Sequence, residues 1–91
     1  NWDVKIEDSC DVRAERNGRK IAIEIETWKA KGDSQLLYNV KRDSKWADKI
    51  IVVCPNKQSK LDIEEKLAGF EKVDVITYAE VDRVEEFLDG T

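Results

Sequence analysis

The feature that most constrains this chain is Asn17-Gly18, set between two alternating runs. Both central residues of a type I′ turn need φ > 0, and Asn-Gly reaches that region at least cost. A two-residue loop fixes the register of the hairpin around it. Arg16 then faces Arg19, and the following pairs are Glu15 with Lys20, Ala14 with Ile21, Arg13 with Ala22, Val12 with Ile23 and Asp11 with Glu24. Strand side chains alternate between faces. Cys10, Val12, Ala14, Ile21, Ile23 and Ile25 therefore share one apolar face that wants a core. Asp11, Arg13, Glu15, Lys20, Ala22, Glu24 and Glu26 share the other.

The second face carries the chemistry. Glu15 opposite Lys20 is a favourable cross-strand pair, whereas Asp11 opposite Glu24 sets like charges about 4.5–5.5 Å apart at Cβ, which destabilises a sheet. Glu26 stands one step further along. Three carboxylates converging at the end of a stiff hairpin are best relieved by a hard divalent cation with oxygen ligands, Mg²⁺ or Mn²⁺. The competing interpretation is a solvated strand face in a chain of which 40% is Asp, Glu, Lys or Arg.

Ninety-one residues make one small domain, spanning residues 1–91. The lack of Met, including at the start, suggests a piece excised from a longer protein whose other domains are its first partners. No stretch approaches the roughly 18 apolar residues of a membrane span. No charged-then-apolar leader opens the chain, so a cytoplasmic protein without membrane contact is expected. Cys10 and Cys54 lack CxxC spacing or His partners, which excludes structural zinc of the usual kind and leaves two small buried hydrophobes, or as the lesser alternative a disulfide.

The net charge of −4 is unevenly spread. Residues 1–50 hold 11 basic and 10 acidic side chains, and residues 51–91 hold 5 and 10. Arg13, Arg16, Arg19, Lys20, Lys29, Lys31, Lys41, Arg42 and Lys45 would line a phosphate-binding side, with the acidic half turned away. A salt-bridged, solvated surface is the plainer account of any one of them.

Residues 2–7 alternate as a strand does, and with the hairpin they suggest an antiparallel meander. From Asp33 to Ala47 the period becomes helical through Leu36, Leu37, Val40 and Ala47. Lys49-Ile50-Ile51-Val52-Val53-Cys54, closed by Pro55, reads as a strand buried on both faces. A helix from about Ser59 through Ile63 and Leu67 to Gly69, a strand over Val73–Thr77 and a final helix through Val81, Val84 and Leu88 complete the order β-β-β-α-β-α-β-α. Thr77-Tyr78-Ala79-Glu80 is a capping-box signature. The fold class is α/β, a mixed sheet with an antiparallel hairpin and flanking helices.

The run Asp11-Val12-Arg13-Ala14-Glu15-Arg16-Asn17-Gly18-Arg19-Lys20-Ile21-Ala22-Ile23-Glu24-Ile25-Glu26-Thr27, followed by a helix and an apolar strand, resembles the PD-(D/E)xK nuclease superfamily. That restriction endonuclease-like group includes archaeal Holliday-junction resolvases. The resemblance covers residues 2 to 54. It implies a metal-dependent endonuclease hydrolysing DNA phosphodiester bonds, with Asp11 and Glu24 as principal metal ligands and the backbone carbonyl of Ile25 supplying another oxygen. Most members have a Lys where this chain has Glu26, which would bind metal directly or accept a proton from the attacking water. Lys20 is too far along the strand to replace that Lys, and Lys29 and Lys41 are the better candidates. RecB-type nucleases of the superfamily carry a Gln and a Tyr one turn apart in the following helix. Gln35 and Tyr38 resemble that pair, one residue short in spacing. Gln35, Asn39 and Arg42 fall on one helical stripe that would face the metal site and the phosphate, or else be the wet face of an amphipathic helix.

The absence of His excludes Ser-His and Cys-His nucleophile systems, and no Gly-rich phosphate loop is present. The candidate site is thus Asp11, Glu24 and Glu26 as catalytic and metal-binding groups with the Ile25 carbonyl. Arg13, Lys29, Gln35, Lys41 and Arg42 are the candidate DNA contacts. Paired cuts would need a homodimer. The alternatives are a nuclease fold that has lost turnover and binds nucleic acid or protein, and a protein-interaction domain using Trp2, Trp28 and Trp46.

Overall fold

A computed structural model of the chain describes residues 3–5, 12–26 and 33–83. The Asn17-Gly18 turn forms as its residues require, with φ of 53° at Asn17 and 80° at Gly18. Around it β2 (Val12–Arg16) and β3 (Arg19–Ile25) pair antiparallel in the register derived above, from Arg16 with Arg19 to Val12 with Ile23. The short β1 (Asp3–Lys5) pairs antiparallel with β2. The chain then crosses through α1 (Asp33–Asp43) to β4 (Lys49–Cys54), which runs parallel to β3, and through α2 (Lys57–Lys66) to β5 (Val73–Thr77), parallel to β4. The result is a small α/β fold with a mixed sheet in the order β1-β2-β3-β4-β5 and two helices.

Strand β4 is at the centre of the parallel part, and Ile50, Ile51, Val52, Val53 and Cys54 are all buried. A strand covered on both faces needs apolar side chains in both directions, which is why this run does not alternate. Ile50, Val52 and Cys54 join Ala22, Leu36, Val40, Ala47, Ile63, Leu67 and Val75 in the core beneath the helices. Ile51 and Val53 join Ala14, Ile21 and Ile76 in a second cluster on the opposite face.

At β3 the hairpin face bearing Glu24 is therefore the one that meets α1, whereas Arg13 and Glu15 on β2 stay partly exposed. Ala22, the lone apolar residue on that face of β3, is wholly buried in the helix-side core. Its small side chain lets a helix approach a strand face that is otherwise charged.

Several element ends differ from the expected ones. Helix α1 stops at Asp43, and the chain turns through residues 44–46 so that Ala47 reaches the core from outside the helix. Helix α2 begins at Lys57, because Asn56 rather than a later Ser caps it, its side chain accepting from the Ser59 amide at 2.9 Å. It closes at Leu67, with φ of −103°, and Gly69 adopts no left-handed conformation. The expected last helix begins as a 3-10 helix over Tyr78–Arg83. Glu80 reaches back to the amide and hydroxyl of Thr77, at 3.0 and 3.1 Å, as the capping box requires. Val84 and Leu88 lie outside the described residues. No helix among the described residues is long and apolar enough to cross a membrane.

Candidate functional site

The acid-x-acid triplet lies at the carboxyl end of β3, alongside the carboxyl end of β4. In open α/β sheets this is the edge where ligands bind. Alternation turns Glu24 and Glu26 to the helix side and Ile25 away from it. Glu24 is 1% exposed and Glu26 4% exposed, whereas Ile25 is 39% exposed, the reverse of what hydrophobicity alone would arrange. Carboxylates are almost never so buried unless they are paired.

Glu24 finds its partners on α1. Asn39 donates its side-chain amide to Oε1 at 3.4 Å, and the Arg42 guanidinium sits 3.4 Å from Oε2. Gln35 donates to the Asn39 amide oxygen at 3.0 Å, which turns the Asn39 nitrogen toward Glu24 and not away from it. Asn39 and Arg42 thus face inward onto the acid, while the exposed Gln35 acts on it through Asn39. Tyr38 is exposed, its ring 5.9 Å from the Arg42 guanidinium carbon.

A further acid belongs to the group. Asp43 is 0% exposed, its Oδ1 lies 3.3 Å from Arg42 Nε, and its Oδ2 is buried with no hydrogen-bond partner. Its backbone carbonyl also accepts from Trp46 and Ala47 as the helix ends. One guanidinium therefore joins two buried carboxylates. Sequence reasoning passed over Asp43, yet a signal was present: it stands at the third position of the stripe Leu36, Val40, Asp43, Ala47, where a helix packed on a sheet ordinarily puts an apolar side chain.

Tyr78 donates its hydroxyl to the Glu26 carbonyl at 2.6 Å, and the Glu26 amide donates to Val53 at 2.8 Å. These bonds tie the end of β3 to β4 and to the 3-10 helix, so the triplet is on a rigid edge. Among the other candidates, Arg13 lies with its guanidinium carbon 4.7 Å from the centre of the Trp46 ring and its Nη2 3.8 Å from Glu15. Lys41 is exposed on α1. Asp11 and Lys29 lie outside the described residues, and so does the Asp11–Glu24 pairing. Among the described residues no group of three or more His, Cys, Asp or Glu side chains is placed to hold a metal ion.

Cys54 is a buried free thiol whose sulfur contacts the Ile76 carbonyl at 3.3 Å. Burial pushes its pKa up, against a smaller opposing effect of Lys60. It behaves as the small core hydrophobe expected of it, and Cys10 lies outside the described residues.

Compared with known proteins, the chain matches no family model, no curated protein and no solved structure.

Proposed function

We propose that this chain is a metal-dependent endonuclease domain of restriction endonuclease-like fold, hydrolysing DNA phosphodiester bonds. One observation carries the reading: Glu24 and Glu26 are both buried at the carboxyl end of β3, with Asn39 and Arg42 of α1 turned in upon Glu24. Stability alone gives no reason to bury two acids on one strand. The order of hairpin, helix, parallel strand supports the same reading, as does the resemblance of Asp11, Glu24 and Glu26 to the superfamily motif.

The acids are of the hard-oxygen type that binds Mg²⁺ or Mn²⁺. Glu24 and Glu26 supply hard oxygens, the hairpin register continued by one pair would bring Asp11 beside Glu24, and the main-chain carbonyl of Ile25 lies between the two acids in sequence. Such an ion lowers the pKa of a bound water and polarises the scissile phosphate. The protein's own part is positioning. Gln35 fixes the Asn39 amide, Asn39 orients Glu24, and Arg42 offsets part of the charge of Glu24 and Asp43 in a dry place. Glu26, where most of the superfamily has Lys, would accept a proton from an attacking water in place of binding the ion. Lys41, Lys29 and Arg13 would neutralise phosphates along the approaching strand.

The contact of Arg42 with Glu24 favours a second reading, a nuclease fold that binds DNA without turnover. The two are separated by assaying plasmid and oligonucleotide cleavage with Mn²⁺ or Mg²⁺, together with the melting temperature in each ion. On the nuclease reading the ions raise the melting temperature and support cleavage, and Asp11→Ala abolishes both. Cleavage that survives in Asp11→Ala sinks it. DNA binding that persists under chelation, falls with salt and is never followed by cleavage establishes the second reading instead.

A further inference from the structure

The outward side of α1 brings free cations and an exposed ring together. Among the described residues its exposed side chains are Gln35, Tyr38 and Lys41, followed by Lys45 in the turn where the helix ends, and none of these is acidic. The exposed Asp48, three residues on, accepts from the Lys20 amide at 2.8 Å. Lys41 and Lys45 enter no ion pair among the described residues, whereas Lys49 is held by Asp74 at 2.6 Å and Lys60 by Glu80 at 3.7 Å. Helix α2 is the contrast, its exposed Lys57 and Lys66 being offset by Asp62, Glu64 and Glu65. In a chain of net charge −4, a helix side that shows solvent cations and neutral groups is complementary to an anion.

Tyr38 decides which anion. It is 62% exposed, and its ring centre lies 5.9 Å from the guanidinium carbon of Arg42, which is itself held by Glu24 and Asp43. The arginine that flanks the ring is therefore tethered, and it steadies the ring at the surface. A lone exposed aromatic is ordinary, but one set among free ammonium groups makes a stacking platform beside phosphate contacts. Stacking on a side chain needs a base whose own face is open. Bases inside a duplex are covered by their neighbours, so such a ring is reached by unstacked bases of a single strand. We infer that the outward side of α1 is a docking surface for single-stranded DNA, on which Tyr38 stacks a base while Lys41 and Lys45 take neighbouring phosphates. This deepens the proposed function and rests on its DNA-binding part, with no cation required.

The test measures, by fluorescence anisotropy in EDTA, the binding of a short labelled single strand of mixed sequence and of its duplex to the 91-residue chain. The single strand should bind about tenfold more tightly than the duplex, the effect of one stacked base. Tyr38→Ala should lose about tenfold on the single strand and nothing on the duplex, and Tyr38→Phe, which keeps the ring, should bind as the unaltered chain does. Lys41→Gln and Lys45→Gln should each weaken both forms and reduce the salt slope on the single strand by about 0.7. A duplex bound as tightly as the single strand overturns the proposal, and so does unchanged single-strand affinity in a folded Tyr38→Ala. If Tyr38→Ala does not fold, the ratio of single strand to duplex in the unaltered chain decides alone. Polyglutamate that displaces the single strand at equal charge concentration marks a surface for any polyanion, an acidic protein included, and overturns it as well. Binding of duplex alone removes this surface and leaves the proposed function standing, whereas binding of neither form removes both.

Discussion

Replacing Arg42 by Met should destabilise the domain by about 3 kcal/mol, because it strips the cation from two buried carboxylates at once. At the 3.4 Å separation from Glu24, and with an effective dielectric of ~20, the gross attraction is about 5 kcal/mol. Asp43 contributes a similar term at 3.3 Å. Arg42 is 29% exposed, so solvent screens part of both, and Asn39 still donates to Glu24 after the substitution. What remains is chiefly the penalty of leaving the two acids buried without this guanidinium, above all Asp43, whose Oδ2 has no hydrogen-bond partner. For a domain of this size that lowers the melting temperature by about 15 °C.

Thermal and urea unfolding followed by circular dichroism measure the loss. The double variant Glu24→Gln/Arg42→Met separates the pair from the packing of the arginine stem. The two changes should be non-additive by at least about 1.5 kcal/mol, since the second removes the charge that the first leaves stranded. Salt of ~1 M should reduce the loss only in part, because the acids are buried while the guanidinium is 29% exposed. A single variant within about 0.5 kcal/mol of the unaltered protein, or strict additivity in the cycle, would refute the assignment of Arg42 as the counter-ion of a buried acid pair.

Ile51→Ala, at a wholly buried position on the central strand, should cost about 4 kcal/mol in urea unfolding, through lost burial and the cavity left beside Ala14, Ile21, Val53 and Ile76. A loss under about 1.5 kcal/mol would mean that this face is not a packed core. Burial raises the Cys54 pKa, so the unfolded thiol ionises first as pH rises, and stability present below about pH 9 falls away above it until the folded thiol also ionises. Unfolding free energies measured from pH 8 to 11 should therefore drop less steeply in Cys54→Ala than in the unaltered chain, and parallel curves would show that Cys54 has no such linkage.

Much of this architecture was legible from local rules. Asn17-Gly18 dictates a hairpin register because only one turn geometry suits it, and that register is the observed one from Val12–Ile23 to Arg16–Arg19. The unbroken apolar run of β4 predicts a strand covered on two sides, and helix spacing places Leu36 and Val40 in the core. The stripe of Gln35, Asn39 and Arg42 was readable as one face of α1, although its direction was not. Element ends were the weaker part. Helix α2 starts ahead of Ser59 because the Asn56 side chain caps it by accepting from the Ser59 amide.

The sequence by itself determined which residues share a face, since alternation on a strand and the 3.6-residue turn of a helix are properties of the backbone. It could not decide what each face meets. Only the crossover of α1 onto the Ala22 side of the sheet turned a charged strand face into an interior, buried Glu24 and Glu26, and made Asp43 an acid shared through Arg42. Burial and counter-charge arise between elements distant along the chain, and the chemistry of a carboxylate depends on both.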